Sequence, residues 1–106
     1  MSNWINVAKV SEFTANTKRF INSEDNISIL ICNIDGQFYA IENICTHDGG
    51  SLADGSLEND EIVCPRHGAH FCVRDGAVKS PPAYEDVATF KTRVVDDMVQ
   101  VYDERN

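Results

Sequence analysis

Cys45, His47, Cys64 and His67 carry the chemistry this sequence can offer. They stand in two clumps, Cys-x-His within "CTHDGG" and Cys-x-x-His within "CPRHGA", with 16 residues between the clumps. On an extended chain the side chains of Cys45 and His47 fall on one side, because successive side chains alternate. Cys64 and His67 have the spacing of a tight metal-binding turn, with Pro65 fixing the backbone between them. Each clump offers one soft thiolate and one imidazole, so the two must meet in space to complete a four-ligand site. Two metal centres accept that set. A single Zn²⁺ would take Cys₂His₂ tetrahedrally as a structural plug. A [2Fe–2S] cluster would take both thiolates on one iron and both imidazoles on the other. Zinc sites commonly pair Cys with Cys and His with His, and here each clump is mixed, which favours the cluster. Gly49, Gly50, Gly55 and Gly68 surround the ligands, as expected where backbone must approach bridging sulfides and donate N–H bonds to them. A rigid loop, "KSPPA" with Pro81 and Pro82, follows soon after and could keep water from the site.

The elements that must position these residues read as strands. Helical periodicity is almost absent; short β-branched and aromatic runs alternate with turn signals, the pattern of an all-β domain. "WINVA" and "KRFIN" are predicted as early strands joined by the polar connection "SEFTANT". "ISILICNIDGQFYAIEN" is predicted as a hairpin turning at Asp35-Gly36. "EIVC" and "HFCV" read as short strands, Asp75-Gly76 as a turn, and "VATFKTRVVDDMVQVYD" as a closing hairpin turning at Asp96-Asp97. The segment from Cys45 to about Tyr84 differs: it holds five of the six glycines and all three prolines. Loops of that kind on a rigid scaffold are where function concentrates.

Composition bounds the partners. At 106 residues the chain is one domain by size and can bury a core without disulfides as its main support. Nine basic against seventeen acidic residues give a formal charge of -8, which argues against nucleic acid and anionic membrane as partners, since both need basic footprints. It suits a protein that meets a basic partner surface, although acidity also serves plain solubility. No apolar run reaches the roughly 18 residues of a membrane span, and the N-terminus lacks the features of a secretory signal. The expected compartment is the cytoplasm, where cysteines more often bind metal or do chemistry than form disulfides.

"CTHDGG…CPRHGAHF…SPPA" resembles the Rieske iron–sulfur family, whose signature is Cys-x-His, a spacer of this length, then Cys-x-x-His. The ligand pairs, their glycines and the proline loop recur in order, and the flanking hairpins suit the family's fold over the whole chain. The resemblance implies a Rieske fold: an antiparallel, sandwich- or barrel-like base in three small sheets, with a loop-rich cluster-binding subdomain at about 43–84 of a single 1–106 domain. It implies one Rieske [2Fe–2S] cluster per chain, with Cys45 and Cys64 on the buried iron and His47 and His67 on the outer one. A freestanding chain of this size is similar to the ferredoxins of bacterial ring-hydroxylating dioxygenase systems. Its partners would then be a flavin-dependent ferredoxin reductase fed by NAD(P)H and a terminal oxygenase, and the chain would be a cytoplasmic, monomeric electron carrier rather than an enzyme. No nucleophile–base pair, nucleotide loop or mononuclear iron motif argues otherwise. The alternatives are a permanent small subunit of an oxidoreductase such as nitrite reductase, which the fold also resembles, and a zinc-stabilised interaction module.

The departures from the family pattern are informative. High-potential respiratory members carry two disulfide cysteines where this chain has Gly50 and Arg66, and a serine and tyrosine donor where it has Ala69 and Phe71. Hydrogen bonds to sulfide and thiolate favour the reduced, more negative state, so their absence implies a low potential within the Rieske range. The docking tip is expected at Asp48 to Leu52, Arg66 to Gly68 and Pro81-Pro82. Cys32, in an apolar strand, and Cys72, after Phe71, are read as core residues. His70 is read as a surface residue, Asp48 and Arg66 as either docking-rim or solvated charges, and Trp4 as a scaffold anchor.

Overall fold

A computed structural model describes residues 4–23, 27–46 and 49–103. Ten strands run in chain order: β1 Trp4–Lys9, β2 Lys18–Asn22, β3 Ser28–Ile34, β4 Gln37–Glu42, β5 Ser56–Glu58, β6 Glu61–Val63, β7 His70–Cys72, β8 Thr89–Phe90, β9 Thr92–Val95 and β10 Met98–Tyr102. Among the described residues the helical content is one 3₁₀ turn, Val10–Glu12. All pairings among the described residues are antiparallel and form three sheets, ordered β1-β10-β9, β2-β3-β4-β8 and β5-β6-β7. The first two make the base, and the third lies inside the loop-rich Cys45–Tyr84 segment.

The β3–β4 hairpin is the middle layer, and its sequence shows why. "SILICNI" is apolar at nearly every position, which suits a strand covered on both faces. Ile29 and Ile31 face one core with Phe13, Val99 and Val101 of the base. Leu30, Cys32 and Ile34 face a second core that also contains Cys45, Cys64 and Phe71. Cross-strand register carries the division onto β4, where Ile31 opposes Ala40 and Leu30 opposes Ile41. The Asp35-Gly36 turn has both residues at positive φ (53° and 92°), the two-residue geometry that matches strand twist. Asp96-Asp97 turns β9 into β10 in the same way, with φ of 51° and 67°.

Three departures from the sequence reading have physical causes. The connection "SEFTANT" is not simply polar: Phe13 is 2% exposed and plugs the base core, its carbonyl accepting the Asn33 side-chain amide at 2.7 Å. The strand β5 arises inside the loop segment through pairing with β6, which three residues of sequence could not signal. The C-terminal run is also not one hairpin. Its first two strand residues, β8, pair with β4, and only after Lys91 does the chain cross to the other sheet as β9. Among the described residues no helix is long and apolar enough to cross a membrane.

Candidate metal centre

Each cysteine clump closes on itself by the same backbone bonds. The Cys45 N–H donates to the Gly50 carbonyl at 2.7 Å, and the Gly49 N–H donates back to the Cys45 carbonyl at 2.8 Å. The Cys64 N–H donates to the Ala69 carbonyl at 2.8 Å, and the Gly68 N–H to the Cys64 carbonyl at 3.0 Å. Gly49 and Gly68 hold φ of 75° and 77°, a conformation that costs a side-chain-bearing residue strain, so Cys-x-x-x-Gly is the local rule behind both turns. A third copy follows at once. In "CVRDGA" the Cys72 N–H donates to the Ala77 carbonyl at 2.9 Å, the Gly76 N–H to the Cys72 carbonyl at 2.8 Å, and Gly76 has φ 77°. That repeat was legible in the sequence and the His spacing masks it, since the histidine falls third in one turn, fourth in the next and nowhere in the last.

The turns sort their side chains by depth. Cys45 and Cys64 are 0% and 1% exposed and belong to one apolar cluster with Leu52, Ile62 and Phe71. His67, with Pro65, Arg66 and Gly68, is exposed at the end of its turn. His47 and Asp48 lie outside the described residues. Among the described residues the buried polar side chains, Ser23, Asn33 and Asp103, are not members of that cluster. Two thiols in an apolar interior with an imidazole at the surface fit a centre that is neutral as a whole: two ferric ions, two sulfides and two thiolates sum to about zero, so burial carries little ionic penalty.

Supporting contacts explain how distant segments converge. Asn43 anchors the first turn: its amide N–H donates to Ser28 Oγ at 3.0 Å, and its carbonyl oxygen accepts the Ala53 N–H at 2.8 Å and the Ser51 hydroxyl at 3.2 Å. Thr46 donates its hydroxyl to the Glu85 carbonyl at 2.7 Å, and the His70 N–H donates to Ser80 Oγ at 3.0 Å. The proline loop, whose Pro81-Pro82 peptide is cis, is thus held to β7 through Ser80 and followed at Glu85 by a bond to the first turn. At Gly55, which the sequence places among the glycines around the ligands, the near neighbour is the β6 backbone. A Cβ there would meet the Val63 carbonyl oxygen at 1.9 Å, so its smallness lets β5 lie on β6 just before Cys64. Arg74, unremarked in the sequence, reaches from the third turn to Tyr39 Oη at 2.7 Å and Asp60 at 3.2 Å, tying this segment to the base.

The remaining residues resolve as follows. Cys32 is fully buried, and burial pushes its thiol up to about 12, with Lys18 opposing slightly; it is an inert core residue. Cys72 is 6% exposed; its thiol hydrogen-bonds Asp75, whose carboxyl is held below its ordinary value first by the Ala77 N–H and then by that thiol. None of the four cysteines is in a disulfide. His70 is half-buried rather than fully exposed, with Nδ1 2.9 Å from Glu61. Trp4 anchors the base, edge-on to Tyr102 at 5.1 Å with the Arg93 guanidinium over its ring at 4.0 Å.

Known proteins share sequence and fold with this chain. A family model for the Rieske [2Fe–2S] domain matches residues 3–91. The ferredoxin component of biphenyl 2,3-dioxygenase from Rhodococcus jostii (strain RHA1) is 41% identical over 73 residues, 69% of this chain and 68% of that one. A chain in the solved complex of reduced oxygenase and oxidised ferredoxin in carbazole 1,9a-dioxygenase superposes with a TM-score of 0.91 at 32% identity, covering 96% of this chain and 94% of that one. A putative NADH-dependent nitrite reductase small subunit from Mycobacterium tuberculosis shares the fold, with a TM-score of 0.84 at 16% identity over 97% of this chain and 96% of that one.

Proposed function

Since the chain belongs to the Rieske [2Fe–2S] domain family, we propose that it is the ferredoxin component of an aromatic-ring dioxygenase system. It carries single electrons from a flavin-dependent, NAD(P)H-fed reductase to a terminal oxygenase, as one domain, monomeric and cytoplasmic. The observation that carries this reading is the sorting of the donors, with the Cys45 and Cys64 thiols buried and the His67 imidazole exposed. Cys45 and Cys64 would hold the inner iron, and His47 and His67 the outer one. A Rieske cluster, when bound, takes up and returns one electron at a time. The chain's own residues position the thiols through the paired turns, keep water from them with Leu52, Phe71 and Ala83, and present an imidazole edge to whatever docks. The biphenyl dioxygenase relative is a ferredoxin component and the carbazole dioxygenase structure is a complex of oxygenase with ferredoxin, which supports a carrier rather than an enzyme.

The low potential read from the sequence keeps its support. Ala69 and Phe71 are both 0% exposed and bring no hydroxyl into the buried cluster where the thiols lie. The test is the EPR spectrum of the reduced, purified protein, followed by reduction with a ferredoxin reductase and NADH. A mixed Cys/His [2Fe–2S] signal that appears on enzymatic reduction is expected. A signal of all-cysteine ligation, or a colourless zinc protein without acid-labile sulfide, would overturn the reading.

A further inference from the structure

Resting on the electron-carrier reading, we propose that Tyr84 is the aromatic anchor by which this chain docks on the terminal oxygenase. Tyr84 is 83% exposed, the most open of the large hydrophobic side chains among the described residues. Its backbone, by contrast, is fixed. Ala83 and Val87 are 2% and 4% exposed and belong to the buried cluster that holds Cys45 and Cys64. The Glu85 carbonyl accepts the Thr46 hydroxyl at 2.7 Å, which sets Tyr84 beside the first ligand turn. The Val78 N–H donates to Asp86 Oδ1 at 2.9 Å and closes the other side of the loop. An aromatic ring with two rotatable bonds on a fixed backbone offers a large contact area at small entropic cost, the character of an interface anchor. Glu85 and Asp86 are exposed next to it, and the chain carries a charge of -8, so the complementary surface is an apolar hollow rimmed by Lys and Arg. The oxygenase is the favoured occupant because a similar chain has been solved in a ferredoxin–oxygenase complex. A partner that grips Tyr84 is also brought against the end of the molecule where the Cys45 turn lies.

The experiment mixes chemically reduced holoprotein with rising concentrations of the oxidised oxygenase components of the biphenyl and carbazole dioxygenases, and follows ferredoxin oxidation by stopped flow. The wild type is compared with Tyr84→Ala, Tyr84→Phe and Phe20→Ala; Phe20 is an exposed aromatic on β2 of the base, 57% exposed. Tyr84→Ala should raise the apparent Kd about tenfold while leaving the limiting rate, EPR spectrum and reduction potential unchanged. Tyr84→Phe should stay within about twofold of wild type, since the ring and not the hydroxyl makes most of the contact. An unchanged Kd for Tyr84→Ala, or equal weakening by Phe20→Ala, would overturn the anchor and leave the carrier reading standing. A shifted potential or EPR spectrum in Tyr84→Ala would overturn it too, by showing that the residue acts through the metal centre. If the wild type reduces neither oxygenase, the carrier reading falls and the anchor with it.

Discussion

Replacing Gly55 with alanine would test whether the thiol Cys64 is positioned by the β5–β6 pairing. The new methyl carbon would lie 1.9 Å from the Val63 carbonyl oxygen and 3.0 Å from its carbon, and both are backbone atoms. To reach even a 3.0 Å contact, one strand must retreat by about 1.1 Å. No rotamer relieves this, because the obstacle is the ladder itself: Ser56 opposes Val63, and Val63 precedes Cys64. Overpacking of this kind costs about 1–3 kcal/mol, and a weakened ladder bond adds about 1 kcal/mol, so a loss of roughly 2–4 kcal/mol is expected. In a domain of this size that lowers Tm by roughly 10–20 °C. Because the retreat carries Cys64 with it, iron and acid-labile sulfide per chain should fall by more than half in purified protein. The control is Gly36→Ala in the β3–β4 turn, where φ is 92° but no atom lies within 4 Å. It should cost about 1 kcal/mol through backbone strain alone and leave the metal content intact. A Gly55→Ala protein with wild-type Tm and full iron would refute the reasoning.

Other outcomes follow from the same geometry. Ala69→Ser and Phe71→Tyr together should raise the reduction potential by several tens of millivolts, because each adds a donor among the buried thiols' neighbours, and redox titration reads it. Asn43→Ala should cost about 2–4 kcal/mol in denaturant unfolding and speed loss of iron to a chelator, since three bonds to Ser28, Ser51 and Ala53 depend on that one amide. Cys32 makes the fold sensitive to alkali. Its folded thiol keeps its proton up to about 12 against 9.0 for the unfolded chain, so its contribution is fully present below pH 9 and is lost as pH rises toward 12. Cys32→Ala should therefore narrow the stability gap between pH 8 and pH 11 by up to about 3 kcal/mol; parallel pH profiles for the two proteins would show that the thiol does not titrate in this way.

Local chemistry accounts for what the sequence determined by itself. The Asp35-Gly36 and Asp96-Asp97 turns, the apolar "SILICNI" strand and the four candidate ligands each follow from residues within a few positions of one another. So does the Cys-x-x-x-Gly turn, present three times at Cys45, Cys64 and Cys72. What only tertiary structure decided depends on segments far apart in the chain. Tyr39 and Ala40 are both covered because β4 lies between two cores, and no alternation pattern states which layers will sandwich it. Thr46 meets Glu85 across 39 residues and Arg74 meets Tyr39 across 35, and those contacts set the proline loop and the third turn in place. Gly55 reads in sequence as a ligand-loop glycine; its neighbour in space is the Val63 backbone. A turn is chosen by the torsional preferences of its own residues, whereas the depth of a thiol or the exposure of Tyr84 is chosen by whatever the rest of the chain brings against it.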